Sequence, residues 1–351
     1  MNLIDSNRYK MSLRKIKIDK FQGKTIVVTG ATGMIGSCLV DVLMQYNKGN
    51  YAFCNVVAIG RNIASAKNRF GVYWEKPGFL FLQQDINKPI VEFSNRVDYI
   101  IHAASYADPI NYAQKPVDTV MTNVLGTSNL LYYGIAHGMS RFAFISSGEM
   151  YGQPNKYMDD FVEDYVGPID YSSPRACYPS GKRTGEVLCQ SFIGQYHADA
   201  VIVRPCHIFG PTMTRNDSRA VSEFLRNAVV GKDIVMKSAG LVERSHCYVL
   251  DTVQAILFTL LYGKCGEAYN IADKKYQMKI CDFAQQAAAA GGCHVIYGDP
   301  SDSEKSGYSK VTRSVLSADK LLSLGWIPNC TNGSAIEETI TILREINGTV
   351  K

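Results

Sequence analysis

Lys24-Thr25-Ile26-Val27-Val28-Thr29-Gly30-Ala31-Thr32-Gly33-Met34-Ile35-Gly36 is the stretch that decides the fold. KTIVVTG (24–30) is a short β-branched run ending at glycine, as a strand buried on both faces reads. In MIGSCLVDVLMQY (34–46), Ile35, Leu39, Val42 and Leu43 recur at helical spacing, and NKGN ends the helix with turn residues. The three glycines therefore occupy a strand-to-helix turn. Gly30 permits the tight turn, Gly33 lets a pyrophosphate approach the backbone, and Gly36 lets helix and strand pack closely. The helix N-terminus adds free N–H groups and a partial positive charge. This context predicts a dinucleotide site formed by Gly30, Thr32, Gly33, Met34, Ile35 and Gly36.

Outward from this turn the same rhythm repeats. NVVAIG (55–60), FLFLQQD (79–85), DYIIHAA (98–104), FAFISS (142–147) and AVIVRP (200–205) are short apolar runs, most of them separated by helical stretches. Alternation of this kind predicts an α/β fold, a Rossmann-like doubly wound parallel sheet with helices on both faces. After Pro205 the rhythm loosens. IVMKS (234–238) and EAYNIA (267–272) mix with helices near 219–230, 250–262, 279–290 and 333–346. The expected organisation is an N-terminal arm (1–22), a dinucleotide-binding domain (23–205) to which 245–272 returns, and an interleaved smaller lobe (206–351) for substrate.

Composition excludes several classes. At 351 residues, 46% hydrophobic and 20% charged, the chain is globular rather than disordered or coiled-coil. Its 37 basic residues are scattered among 32 acidic ones, which argues against a nucleic-acid partner. No apolar run approaches the ~20 residues of a membrane span. Ten cysteines stand singly without a C-x-x-C pair, so reduced thiols in the cytoplasm are expected, with no metal site. The first 22 residues are basic and polar and read as a loose arm without a secretory signal.

Further candidates lie at strand ends. Arg61, after the second strand, is open to three readings: pairing with the 2′-phosphate of NADP, stacking on the adenine of NAD, or a solvated loop charge. Asp85, beside Ile86, is placed for the adenine amino group and is equally a turn former. Tyr178 and Lys182, four residues apart, share one helical face. A phenol with a pKa of ~10 is no base at pH 7. A nearby ammonium and an oxidised nicotinamide are expected to lower it by about two to three units. Y-x-x-x-K alone arises by chance, but here a strand ending Ser146-Ser147 precedes it.

With these residues in place the chain resembles the extended short-chain dehydrogenase/reductase family, over about residues 24–330. The resemblance implies a catalytic set of Ser147, Tyr178 and Lys182. It also implies cofactor contacts for Ala103, Ala104 and Ser105, support from Asn123, and a diphosphate-binding Arg244. Tyr106 and Arg219 join the substrate-binding candidates. Within the family, Asp108-Pro109, Asn111-Tyr112, Pro174-Arg175-Ala176-Cys177-Tyr178 and Arg219-Ala220-Val221-Ser222 are similar to UDP-glucuronate decarboxylases. Glu149 matches an acidic residue of dehydratases and decarboxylases, and is otherwise the start of a polar loop.

Two departures matter. Gly148 stands where dehydratases carry a proton-donating Asp, so dehydration is disfavoured. His207 replaces the Asn of R-x-x-N-x-x-G-P, either altering substrate recognition or serving as a hydrogen-bonded wall. Lys310 and Arg313 are placed to meet a carboxylate or diphosphate, or are lid-surface charges. The resemblance implies redox-neutral chemistry on a nucleoside-diphosphate sugar with bound NAD, through a 4-ketone. Decarboxylation leads; 4-epimerisation, NADP-dependent 4-ketosugar reduction and a non-catalytic dinucleotide-binding protein are the alternatives. It further implies a homodimer through the helix at 109–137 and the helix starting at Tyr178, with Val117, Val120, Met121, Val124, Val187, Leu188 and Phe192 on their apolar faces.

Overall fold

The decisive run forms β1 (Thr25–Thr29), and its side chains alternate between two cores. Ile26 and Val28 face one apolar cluster and Val27 the other, the period of two that a strand covered on both faces requires. The computed structural model describes residues 2–16, 20–48, 54–107, 109–155, 160–299, 313–331 and 333–348. Asp108 and Lys310 lie outside them.

The other apolar runs become β2 (Asn55–Gly60), β3 (Phe79–Gln83), β4 (Tyr99–His102), β5 (Arg141–Ile145) and β6 (Ala200–Pro205). Together with β10 (Ala268–Ile271) they form one parallel sheet in the order β10-β6-β5-β4-β1-β2-β3. EAYNIA thus returns to the main sheet. Chain order reverses between β1 and β4, which opens a crevice at their C-terminal ends. On one face lie α2 (Met34–Lys48) and α8 (Val249–Tyr262), and on the other α5 (Pro116–Ala136) packs on α6 (Cys177–Tyr196). The shorter α3 (Ile63–Phe70) follows β2, and α4 (Pro109–Gln114) leads into α5.

Beyond Pro205 the chain forms pieces too short to show periodicity. β7 (His207–Phe209) pairs with β9 (Glu243–Tyr248), which also pairs with β11 (Gln277–Lys279) and β13 (Arg313–Ser314). This small sheet stands over the strand ends. β8 (Ile234–Met236) and β12 (Val295–Tyr297) pair separately, beside α7 (Ala220–Val229) and α9 (Ile280–Gly291).

The N-terminal stretch is docked rather than loose. α1 (Asn7–Leu13) and its flanks bury Leu3, Ile4, Tyr9, Leu13, Ile16 and Phe21. Tyr9 donates to Asp41 Oδ2 at 2.8 Å, where Tyr73 and Arg69 also bond, and Ser6, Arg8 and Ser12 bond Glu338 and Glu345 of the helix Ala335–Asn347. Tyr9, Leu13 and Ile16 are spaced as one helical face, a signal hidden among lysines and arginines. Among the described residues no helix is long and apolar enough to cross a membrane, and all ten cysteines are unpaired.

Candidate active site

The crevice between β1 and β4 holds two connected cavities. One of about 210 Å³ is bounded by Gly30, Thr32, Gly33, Arg61, Asp85, Ile86, Ala103, Ala104, Ser105 and Tyr106. The glycines are dictated by space. Gly30 has φ +62°, and a Cβ there would sit 2.7 Å from the Ala103 carbonyl; one on Gly36 would sit 2.2 Å from the Gly30 carbonyl. The turn thus leaves the first turn of α2 open to the cavity, as a pyrophosphate requires. These residues fit a dinucleotide.

At the second strand's end, Arg61 donates to the Tyr106 hydroxyl at 2.6 Å and lies over its ring. Asp85 Oδ1 accepts from Asn87 N–H at 3.0 Å, forming a turn, and the residue borders the cavity. Asn123 stands behind the wall, where its Nδ2 donates to Ser105 Oγ at 3.1 Å. Buried His102 bonds Thr29 Oγ1, which also accepts from Ala104 N–H, so this pair fixes the cavity floor.

The second cavity, about 410 Å³, shares Gly30, Gly33, Arg61, Ala103, Ser105 and Tyr106 with the first and adds Met34, Ile35 and Gly36. It brings together Ser147, Glu149, Tyr178, Lys182, His207 and Arg219. β5 delivers Ser147, whose Oγ accepts from Glu149 N–H at 3.1 Å, so a single turn places both side chains. Helix α6 delivers Tyr178 and Lys182 on one face, both buried. Lys182 Nζ donates to the Ile145 carbonyl at 2.6 Å and lies 5.7 Å from the centre of the Tyr178 ring.

The protein's own groups, without the nicotinamide, shift the phenol upward. Burial first and the Glu149 carboxylate second push the Tyr178 phenol up to about 12, against a hydrogen bond with Ser147 and the charges of Arg219 and Arg175. Lys182 is itself brought down to about 7 by burial, with Glu186 opposing. Desolvation, not the Tyr-Lys spacing, dominates here.

The charged groups at the substrate end are paired. Glu149 Oε2 accepts from Arg175 at 2.7 Å. Arg219 bonds Asp217 and the Ile208 carbonyl. Arg244, which does not border the cavity, donates to His207 Nε2 at 2.8 Å. A guanidinium can only donate, so His207 is neutral with its proton on Nδ1. Burial and then Arg244 hold it well below the usual histidine range. Arg313 also stands off the cavity, paired with Asp160 and Glu243. Gly148 has little room for a side chain, since a Cβ there would sit 3.0 Å from Leu316. Tyr112, Asp217 and Leu316 also line the cavity without any role that sequence reading gives them, and Arg175, bonded to Glu149, is likewise without one. Of these Tyr112 and Arg175 carry a signal, since both lie in stretches that share the family resemblance, Arg175 three residues before Tyr178.

Residues 26–272 match the NAD dependent epimerase/dehydratase family. UDP-glucuronic acid decarboxylase 6 of Arabidopsis thaliana is 34% identical over 249 residues, 71% of this chain and 69% of its own. UDP-glucuronic acid decarboxylase 1 of Danio rerio is 30% identical over 321 residues, 90% of this chain and 72% of its own. The fold is similar to that of UDP-glucuronic acid 4-epimerase from Bacillus cereus, solved with UDP-glucuronic acid and NAD. That structure has a TM-score of 0.74 at 21% identity, covering 92% of this chain and 99% of the other. The glycine turn, the crevice and the sheet order thus have a common ground: this chain is an enzyme of the NAD dependent epimerase/dehydratase family.

Proposed function

We propose that the enzyme decarboxylates a nucleoside-diphosphate uronic acid, with UDP-glucuronate as the substrate, through a 4-keto sugar. The observation that carries this reading is Glu149, held beside Ser147 and Tyr178 at the cavity wall, next to a glycine that cannot donate a proton. The Gly30–Gly36 turn and the walls around Asp85 and Ala103 would hold NAD, which would supply a reversible hydride acceptor for C4. Tyr178 takes the proton of the 4-hydroxyl while Ser147 holds that oxygen. Lys182 fixes the back of the site through the Ile145 carbonyl and offers its charge to the phenolate. With C4 a ketone, the C6 carboxylate is β to a carbonyl, and the electrons of the breaking C5–C6 bond are delocalised as CO₂ leaves. Glu149 then acts beside C5, where a proton must be delivered.

The lobe formed by 206–351 supplies substrate contacts through His207 and Arg219, with Arg244 orienting His207 from behind. Arg61, already engaged with Tyr106, supports NAD rather than a 2′-phosphate. Val117, Met121, Leu125 and Val187 are exposed on α5 and α6, whereas Phe192 is buried. This apolar face supports a homodimer, which light scattering tests: a monomer mass at micromolar concentration contradicts it. Unpaired thiols support a cytoplasmic setting.

Incubating the NAD-loaded protein with UDP-, GDP-, CDP- and dTDP-linked sugars and weighing the products tests the function. A UDP-uronic acid losing the mass of CO₂ is expected. Unchanged mass with an inverted C4 identifies an epimerase instead, and gain of two hydrogens a reductase.

A further inference from the structure

Arg175 has no place in the steps above, yet it contacts Glu149 directly and Tyr178 by way of Tyr112. It lies in the single turn Pro174–Ala176 that leads into α6, where its N–H donates to Ser173 Oγ at 3.3 Å. Its Nη2 holds Glu149 at 2.7 Å, and its Cζ lies 4.4 Å from the centre of the Tyr112 ring. Tyr112 in turn stacks on Tyr178, with centroids 4.7 Å apart and planes at 26°. One guanidinium therefore reaches the carboxylate by its edge and the phenol by way of a ring on its face. It does not border the cavity itself.

We propose that Arg175 is a positioning residue that neutralises Glu149 and clamps Tyr112 against Tyr178, and so sets how readily Tyr178 gives up its proton. The inference rests on the reading of Tyr178 as the base.

The physical case is one of charge. Removing a proton from Tyr178 creates an anion near a second anion, Glu149, in a site shielded from water, where like charges repel strongly. Each group facing the phenol has a defined bearing on this. Ser147 hydrogen-bonds it, Arg219 attracts the anion but is shared with Asp217, and Lys182 lies on the same helix face behind the ring. Tyr112 is neutral and buried, with its own ionisation pushed well up. Arg244 faces Glu149 but is committed to His207. Arg175 is the cation in direct contact with Glu149, and its charge also favours the ionised Tyr178. Only a planar guanidinium can pair with a carboxylate at its edge and cover a ring with its face; a lysine keeps the charge and loses the second contact.

The test compares Arg175→Met, Arg175→Lys and the double variant Glu149→Gln/Arg175→Met with the NAD-loaded wild type. The pH profile of kcat/KM is followed, together with the phenolate absorbance of each protein minus that of its Tyr178→Phe counterpart. In Arg175→Met the Tyr178 ionisation is expected to move alkaline by about one pH unit. Arg175→Lys is expected to recover part of that shift, and the double variant most of it, because the repelling carboxylate is gone. Lost activity with an unmoved ionisation overturns the proposal, as does a double variant shifted as far as Arg175→Met alone. Arg175→Lys keeps the test decisive if Arg175→Met does not fold. Retained turnover in Tyr178→Phe overturns the prior reading of the base instead, while the absorbance titration still decides the influence of Arg175.

Discussion

The two ends of the crevice are built by different means. At the glycine turn the walls are backbone and small side chains, and exclusion of atoms shapes the cavity: a single Cβ on Gly30 or Gly36 collides with main chain. At the substrate end nearly every charged residue is committed to another. Glu149 is held by Arg175, Arg219 by Asp217, Arg244 by the neutral His207, and Arg313 by Asp160 and Glu243. The first end is fixed by steric rules, within the turn at Gly36 and against the Ala103–Ala104 backbone at Gly30. The second is fixed by pairings that span up to 153 positions. A sterically built end should respond to added atoms, and a charge-built end to removed ones.

The largest effect expected is at Tyr178. Tyr178→Phe removes one oxygen and should cost roughly 10²–10⁴-fold in turnover while leaving NAD binding intact, as steady-state kinetics and cofactor titration will show. Glu149→Gln comes next. It should cost about 10²-fold in product formation but spare the first hydride transfer, visible as accumulating nicotinamide absorbance in a stopped-flow trace. Wild-type rates in this variant would remove the reason to prefer decarboxylation over epimerisation. At the other end, Gly36→Ala adds one carbon and should destabilise the protein by about 1–3 kcal/mol, measured by urea unfolding, while weakening NAD. If it is neutral, the contrast between the two ends is lost.

A broader signature lies in pH. Burial holds His102 at about 3 and His246 at about 4, with His207 also well below its usual range. The unfolded chain binds these protons below about pH 6.5, and the native state does not. Stability is therefore fully present above that pH and falls as pH drops from it toward 4, by up to about 1.4 kcal/mol per unit for each histidine. Melting temperatures between pH 7.5 and 5 check this; a flat profile contradicts it. The smallest effect is at exposed Arg61. Arg61→Ala should change NAD affinity by less than about 1 kcal/mol, by calorimetry.

The same difference decides what could be read from sequence. β2 runs Asn55–Gly60 and β6 Ala200–Pro205, the bounds their apolar runs suggest, because a strand buried on both faces leaves a continuous signature. The glycine turn is legible for the same local reason. β9, with Glu243, Arg244, Ser245 and His246, has no such pattern, and β7 and β11 have three residues each, too few for any period. Spacing reveals Tyr178 and Lys182 but not the sign of the phenol's shift, since desolvation depends on what α6 packs against. Arg244 and Arg313 look like free cations in sequence because their partners come from other elements.

The central claim is that one carbon is oxidised and restored while its neighbour loses CO₂. It is tested most directly with UDP-glucuronate carrying deuterium at C4, given to the NAD-loaded wild type in light water. The account predicts a UDP-pentose that retains the deuterium at C4, with CO₂ released in equal amount and no net change in cofactor absorbance. A product that keeps its carboxylate, or a pentose whose C4 label has washed out to solvent, contradicts it.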